Sequence, residues 1–151
     1  MGPLDVIIVG AGAAGLMAAV SAGRMGKRVL LLDGNDRPAR KVLITGKGRC
    51  NVTNNCDLDT LLAHIPQNPR FLYAAFAAFS PADTMAFFEE AGVPLKTERG
   101  NRVFPVSDQA RDIADALWRE AKAAGAKLLQ GKVTELIMEE GRVTGVRSED
   151  G

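Results

Sequence analysis

Asp5-Val6-Ile7-Ile8-Val9 places an unbroken aliphatic, largely β-branched run behind a single acid, the pattern of a strand covered on both faces of a parallel sheet. Gly10 ends it. Leu16 to Met25 then runs through Ala and Met with small polar interruptions, and Gly26 stands where a left-handed helix cap belongs. Arg28 to Asp33 repeats the buried-strand pattern. Strand, helix and strand make a β-α-β unit with a right-handed crossover. From Gly34 to Asn55 periodicity disappears, and Gly34, Pro38, Gly46 and Gly48 are scattered among five basic residues, which reads as a functional loop. A helical excursion at about 57–92 follows, with helices over Asp57–Ile65, Pro69–Phe79 and Pro81–Ala91, each starting near a cap residue or an N1 proline.

Pro94 to Val106 reads as a hairpin turning at Arg99-Gly100-Asn101, and Ser107 as the cap of a helix reaching Ala124, with Gly125 at its end. Lys127 to Gln130 resumes the aliphatic strand pattern. Val133–Met138 and Arg142–Arg147 alternate in period two about Glu139-Glu140-Gly141, an exposed hairpin. The fold class is α/β: a Rossmann-like domain over 1–151 with a parallel sheet, a late β-hairpin and the beginning of an inserted helical segment. Ser148-Glu149-Asp150-Gly151 reads as a further turn leading to a strand beyond the sequence, so truncation is expected.

Composition narrows the partners. With 151 residues, 46% hydrophobic and 25% charged, the chain has enough apolar content for one core and is not disordered. A net charge of +1 gives no global field toward nucleic acid or an anionic membrane. Residues Val6 to Gly23 are uncharged and apolar, but the glycines that interrupt them and the missing basic flank read as a strand and a helix meeting at a turn, not as a membrane span. Cys50 and Cys56 are too few for a disulfide framework and match no zinc spacing. No metal is expected, and the cytoplasm is the expected compartment.

The chemistry begins at Gly10-Ala11-Gly12-Ala13-Ala14-Gly15, a Gly-x-Gly-x-x-Gly that follows a strand, opens a helix and is answered by Asp33 at the end of the next strand. In such a turn Gly10 permits the tight bend, Gly12 lets a pyrophosphate approach the backbone, and Gly15 lets the helix lie against the sheet. The N–H groups opening the helix face phosphate, and Asp33 is suited to the adenosine ribose hydroxyls. A 2′-phosphate there meets like charge. The pattern fits an ADP half and leaves FAD and NAD open.

Within the loop, Gly46 and Gly48 allow backbone to pass a flat ligand, Arg49 offers a charge-assisted donor and Asn51 an amide. Arg49 beside Cys50 would favour a thiolate, although Cys56 lies beyond a Cys-x-x-Cys distance. His64, the single histidine, lies outside the motifs. Trp118 and Phe71, Phe76, Phe79, Phe87 and Phe88 read as core or interdomain packing. No residue identifies itself as a general acid or base.

Arg40-Lys41-Val42-Leu43-Ile44-Thr45-Gly46-Lys47-Gly48-Arg49-Cys50-Asn51-Val52-Thr53-Asn54 resembles the signature of the BaiN/YhiN-like flavoproteins, also described as aminoacetone-oxidase-like or NAD(P)/FAD-dependent oxidoreductases. Gly100-Asn101-Arg102-Val103-Phe104-Pro105-Val106-Ser107 resembles a second motif of that family, and the glycine fingerprint a third. The resemblance implies an FAD fold with an inserted domain. It implies that Gly10, Gly12, Ala13, Ala14 and Gly15 hold the pyrophosphate, Asp33 the ribose, and Arg40 with Lys41 the adenosine side. Gly48, Arg49, Cys50 and Asn51 would pass beside the pyrophosphate and the isoalloxazine, and Val133 would pair with adenine through its backbone.

Three function classes follow. The first is an FAD-dependent oxidoreductase with NAD(P)H as a transient electron donor and a small-molecule substrate. The second is a flavin-dependent RNA-modifying, uridine-reducing enzyme, whose RNA would meet Arg37, Arg40, Lys41, Lys47 and Arg49. The third is a dinucleotide-binding fragment without catalysis, prone to self-association through an unpaired sheet edge.

Overall fold

The computed structural model describes residues 3–149, so the last two residues of the expected Ser148–Gly151 turn lie outside the described residues. The chain divides into two compact units, Met1–Val42 with Leu117–Gly151, and Leu43–Ala116.

The first unit opens with β1 (Val6–Val9), α1 (Ala13–Arg24) and β2 (Val29–Asp33), the expected β-α-β. Asp5 takes the Arg28 N–H at 2.8 Å and the guanidinium at 3.1 and 3.2 Å, tying the two strand starts together. Those Arg28 bonds pull the Asp5 carboxyl down to about 2. β1 pairs in parallel with β2, and β2 with β6 (Lys127–Gln130), so the sheet order is β1-β2-β6. Val29 to Leu32 of the central β2 are buried, whereas Val9 is 57% exposed. The aliphatic run of β1 predicts burial on both faces. Among the described residues it pairs only with β2 and is half-covered, because the centre of this sheet is β2. Leu16, Ala19 and Val20 of α1 are buried, each large side chain so placed being worth about 1.5–3 kcal/mol. β7 (Val133–Glu139) and β8 (Arg142–Ser148) form the expected antiparallel hairpin, turned by Glu140 and Gly141 at φ 48° and 77°.

The second unit begins in the unpatterned loop, which forms a kinked 3-10 segment over Val42–Gly48. β3 (Thr53–Asn54) follows, then α2 (Leu58–Ala63), a 3-10 turn at Pro69–Leu72, α3 (Tyr73–Ala78) and α4 (Pro81–Glu90). Asp57 caps α2 by accepting the Thr60 N–H at 2.7 Å, and Ser80 with Asp83 forms a capping box on α4. The stretch Pro69–Glu90 is long and apolar enough to cross a membrane by length and composition. Its path is broken, since Phe79 is extended (φ −147°, ψ 89°) and Ser80 starts a new helix. β4 (Leu95–Glu98) and β5 (Arg102–Pro105) make the expected hairpin, and β3 adds to β5 in the order β3-β5-β4.

The core of this unit holds Phe87, Phe88, Val93, Val103 and Phe104, with Phe87 and Phe88 edge to face at 5.1 Å. Phe71 and Phe79 stand outside it at 83% and 39% exposure. Of the two expected roles, core packing holds for Phe87 and Phe88, and Phe71 and Phe79, which sit in the 3-10 turn and the break between helices and not on α4, lie outside this core. α5 (Ala110–Ala123) runs from the second unit into the first. It starts two residues later than a Ser107 cap predicts because Asp108 is left-handed at φ 57°. Ser107 instead accepts the Gln109 N–H at 3.2 Å and donates its hydroxyl to Asp112 at 2.6 Å.

Candidate functional site

In the first unit the fingerprint, Asp33 and the approach to β7 converge at the carboxyl ends of the parallel strands, where α/β sheets bind ligands. Gly10 donates its N–H to the Leu32 carbonyl at 2.7 Å and turns with φ 99°, a left-handed value that a side chain would strain. A Cβ on Gly15 would run into the Gly10 carbonyl oxygen and come within 3.3 Å of Ile8 Cγ2. That is how closely α1 passes the end of β1. At Gly12 the opposite holds: a Cβ meets nothing within 4 Å. Gly12 is the N-cap of α1 and supplies no side-chain cap, and the first turn carries no acid. Gly12, Ala13 and Ala14 are exposed. Open space over an uncapped helix start whose first turn carries no acid fits a diphosphate.

Asp33 is bound more fully than its sequence position suggests. One carboxylate oxygen accepts the Ala11 N–H at 2.6 Å, and the other accepts the Asn35 N–H at 2.8 Å and its amide at 2.7 Å. Burial, the largest single influence, pushes the carboxyl upward. The N–H donors of Asn35 and Ala11 together outweigh it and hold the group below the usual carboxylate range. Each oxygen has two lone-pair directions, so the one facing Ala11 retains an acceptor for a hydroxyl. Asn35 Oδ1 takes Arg40 Nη1 at 3.1 Å, which links Arg40 to Asp33 through one amide. Ala39 donates its N–H to the Ala11 carbonyl at 2.7 Å, bringing the residues before Arg40 against the fingerprint, while Lys41 is exposed. The Gly131 N–H donates to the Asp33 carbonyl at 2.9 Å, which sets Val133 two residues beyond at the start of β7. Asn35 is the residue that sequence reasoning missed. Its signal was available, because an Asp followed two residues later by Asn is an Asx-turn pattern.

Gly48, Arg49, Cys50 and Asn51 belong to the second unit, and there the two family-like motifs fold onto each other. With the Asn51 amide assigned from its neighbours, its nitrogen donates to the carbonyl oxygens of Thr53 and Val103 at 3.0 and 3.1 Å, and Val52 donates its N–H to the Val103 carbonyl at 2.9 Å. The Arg49 guanidinium lies 4.2 Å over the Phe104 ring. Its Nε reaches Asp108 at 2.9 Å, its Nη1 reaches Glu98 at 3.3 Å, and its Nη2 pairs with both carboxylates. Lys96 closes the cluster at 2.8 Å from Asp108 and 3.6 Å from Glu98.

The sequence reading that Arg49 activates the neighbouring thiol gains no support from this geometry. The charge is turned to Glu98 and Asp108, and burial pushes the Cys50 thiol up, with a smaller opposite effect from Thr45. No spacing rule marks Lys96, Glu98 or Asp108, which stand 47 to 59 residues from Arg49 in the chain. Among the described residues no group of His, Cys, Asp and Glu could hold a metal ion. His64 is exposed, with Nδ1 2.8 Å from the Thr60 carbonyl.

The ion cluster carries a pH prediction. Bonding to Arg49 lowers the Glu98 carboxyl, and bonding to Lys96 and then Arg49 lowers that of Asp108. Groups depressed in the fold stabilise it above their unfolded values and lose that contribution as pH falls through the folded ones. Exchange protection of the Cys50 amide, which donates to the Thr45 carbonyl at 3.1 Å, is therefore expected to be flat down to about pH 5 and to fall below the ordinary carboxylate range of about 4. Protection unchanged well below that range would separate the loop from its ion pairs.

A family model described as the HI0933-like protein Rossmann domain matches residues 4–151. The chain is 38% identical over 118 residues to a ribosomal RNA dihydrouridine synthase of Escherichia coli (strain K12), covering 78% of this chain and 29% of that protein. It is 33% identical over 132 residues to a 3-dehydro-bile acid delta(4,6)-reductase of Clostridium scindens, covering 86% and 32%. The chain thus spans about a third of the length of the curated relatives it matches. Among solved structures, the 3-ketosteroid-delta4-(5alpha)-dehydrogenase of Rhodococcus jostii RHA1 superposes with a TM-score of 0.74 at 16% identity, covering 97% of this chain and 42% of that one. At that identity the likeness concerns the fold, which is the Rossmann-like α/β fold expected from the sequence.

Proposed function

The chain belongs to the HI0933-like Rossmann-domain family, and from that premise we propose that it binds FAD and serves a flavin-dependent oxidoreductase. The observation that carries the proposal is the Gly10–Gly15 turn, with open space at Gly12, an uncapped start to α1 and Asp33 fixed beside it. FAD, when bound, supplies the electron transfer, and NAD(P)H is the donor we assign to it. The chain's own part is to bind and orient. The N–H groups at Gly12, Ala13 and Ala14 face the diphosphate, Asp33 accepts from the ribose, Arg40 and Lys41 flank the adenosine, and the Val133 backbone lies in reach of a base edge. The negative Asp33 disfavours a 2′-phosphate at this site. Unpaired Cys50 and Cys56 support a reducing, cytoplasmic setting. Denaturing the purified intact protein and separating the released cofactor by chromatography is expected to yield FAD. Recovery of NAD alone would overturn the flavin reading and leave a dehydrogenase.

A second reading makes RNA the substrate, and the 38% identity to a ribosomal RNA dihydrouridine synthase favours it. This relative and the bile acid reductase match most of the chain at similar identity, so it is the substrate that separates the readings. Arg40, Lys41 and Lys47 are exposed and available to phosphates, whereas Arg49 is engaged by carboxylates. Ribosomal RNA fragments are then expected to bind with an affinity that falls steeply with salt. Binding indifferent to salt would return the substrate to the small-molecule class.

A further inference from the structure

Gly46, Lys47, Gly48 and Cys50 all lie in the left-handed region, at φ 54°, 58°, 84° and 59°. Lysine and cysteine rarely adopt it, and such residues persist there only where the surroundings over-determine them. Local bonds hold part of it: the Arg49 N–H donates to the Gly46 carbonyl at 3.3 Å and the Cys50 N–H to the Thr45 carbonyl at 3.1 Å. A second, long-range restraint comes from Arg49, between the two strained non-glycine residues. Its Nε and both terminal nitrogens donate to carboxylates, its plane rests on Phe104, and Asp108, itself left-handed at φ 57°, is held from the other side by Lys96. All three guanidinium nitrogens of Arg49 are thus directed at Glu98 and Asp108, and Arg102, 5.8 Å from the centroid of the same Phe104 ring, is a further cation beside the cluster.

We propose that Arg49 is a positioning residue and not a cofactor-phosphate ligand: forked between Glu98 and Asp108 and stacked on Phe104, it holds the Gly46–Asn51 backbone in its strained form. That this backbone then serves a flavin rests on the function proposed above. A planar fork is needed, because only a guanidinium satisfies two carboxylates while stacking on a ring. A lysine keeps the charge and reaches one partner.

Cys50 reports on the clamp, since it follows Arg49 directly and is 7% exposed. In the intact protein stripped of cofactor, alkylation of Cys50 by iodoacetamide, read by peptide mass spectrometry against Cys56, is expected to accelerate at least tenfold in Arg49→Ala and in Asp108→Asn. Arg49→Lys should fall between them and the wild type. In the reloaded protein the reduction potential of the flavin should shift in the same order, with Arg49→Lys returning part of the way. Asp108→Asn leaves Arg49 paired with Glu98, so it supplies the comparison if Arg49→Ala does not fold. Weakened FAD binding in Arg49→Ala, with Cys50 alkylated at the wild-type rate and Asp108→Asn binding FAD normally, would make Arg49 a cofactor ligand and overturn the proposal. Equal acceleration at Cys50 and Cys56 would also overturn it, as general unfolding. If the wild-type protein carries no FAD, the flavin reading fails while the alkylation series still decides the clamp.

Discussion

Gly15→Ala is expected to remove cofactor retention and to destabilise the fold, whereas Gly12→Ala, three residues earlier, should remove retention alone. At position 15 the added Cβ overlaps the Gly10 carbonyl oxygen, a backbone atom with no rotamer to yield, and Ile8 Cγ2 blocks the other side at 3.3 Å. Relief requires α1 to move off the end of β1, which also displaces the N–H groups at the helix start. Overpacking a close contact costs about 1–3 kcal/mol and occasionally more, and a backbone clash belongs at the upper end, about 3 kcal/mol. If that strain also opposes the bound geometry, affinity falls by about 100-fold. At position 12 the chain leaves open space and the backbone is extended (φ −76°, ψ −175°), which alanine adopts freely. The Gly12→Ala apoprotein should therefore melt within a degree or two of wild type, since no contact changes, while FAD content drops because the methyl occupies the diphosphate's room. Thermal midpoints of the two apoproteins and flavin content after gel filtration check the pair. A Gly15→Ala protein that melts and binds as wild type would mean that α1 and β1 are not held this closely.

That contrast also shows what the sequence could disclose. Gly10, Gly12 and Gly15 each answer a local demand, a turn, a space and a close approach, and local demands leave a local pattern. The same holds for Val29–Asp33, for Lys127–Gln130 and for the hairpins about Gly100 and Gly141, whose turn residues and period-two runs place the elements within a residue or two. The start of α5 slipped because Asp108 is left-handed, and its carboxylate answers Arg49 and Lys96, residues 59 and 12 positions away. β1 looked doubly buried because an aliphatic run records what a strand is made of, not how many neighbours it has. The ion cluster was invisible for the same reason. Glu98 and Lys96 sit on a hairpin as two ordinary charges, and only the fold shows that they answer Arg49. Asp33 was legible as an acid at a strand end, but its bond to the Ala11 N–H was not.

That bond changes what Asp33→Ala should do. An acid that served only a ribose would lower affinity and leave the apoprotein untouched. Here the carboxylate accepts three N–H bonds from Ala11 and Asn35, so its loss strands the Ala11 N–H inside the fingerprint turn and releases the Asn35–Arg40 link. Charge-assisted bonds are worth about 1.5–3 kcal/mol, and with partial exposure and water available to the exposed Asn35 the net cost to stability should be about 1–2 kcal/mol. FAD affinity should fall by at least tenfold, since ribose bonds and turn geometry are lost together. The depressed carboxyl gives the sign with pH. The stability difference between wild type and Asp33→Ala should be constant above the ordinary aspartate range of about 4 and shrink as pH falls through the lower folded value. Asp33→Asn separates the two roles. Its carbonyl can still take the Ala11 N–H and keeps the acceptor for the ribose, but it loses the charge and turns its amide to the two Asn35 donors, so turn stability should partly return while ribose binding, without the charge-assisted bond, recovers less. Urea melts of the apoproteins and flavin fluorescence titrations measure both quantities. An Asp33→Ala apoprotein as stable as wild type would remove the carboxylate from the turn, and unchanged FAD affinity would remove it from the ribose.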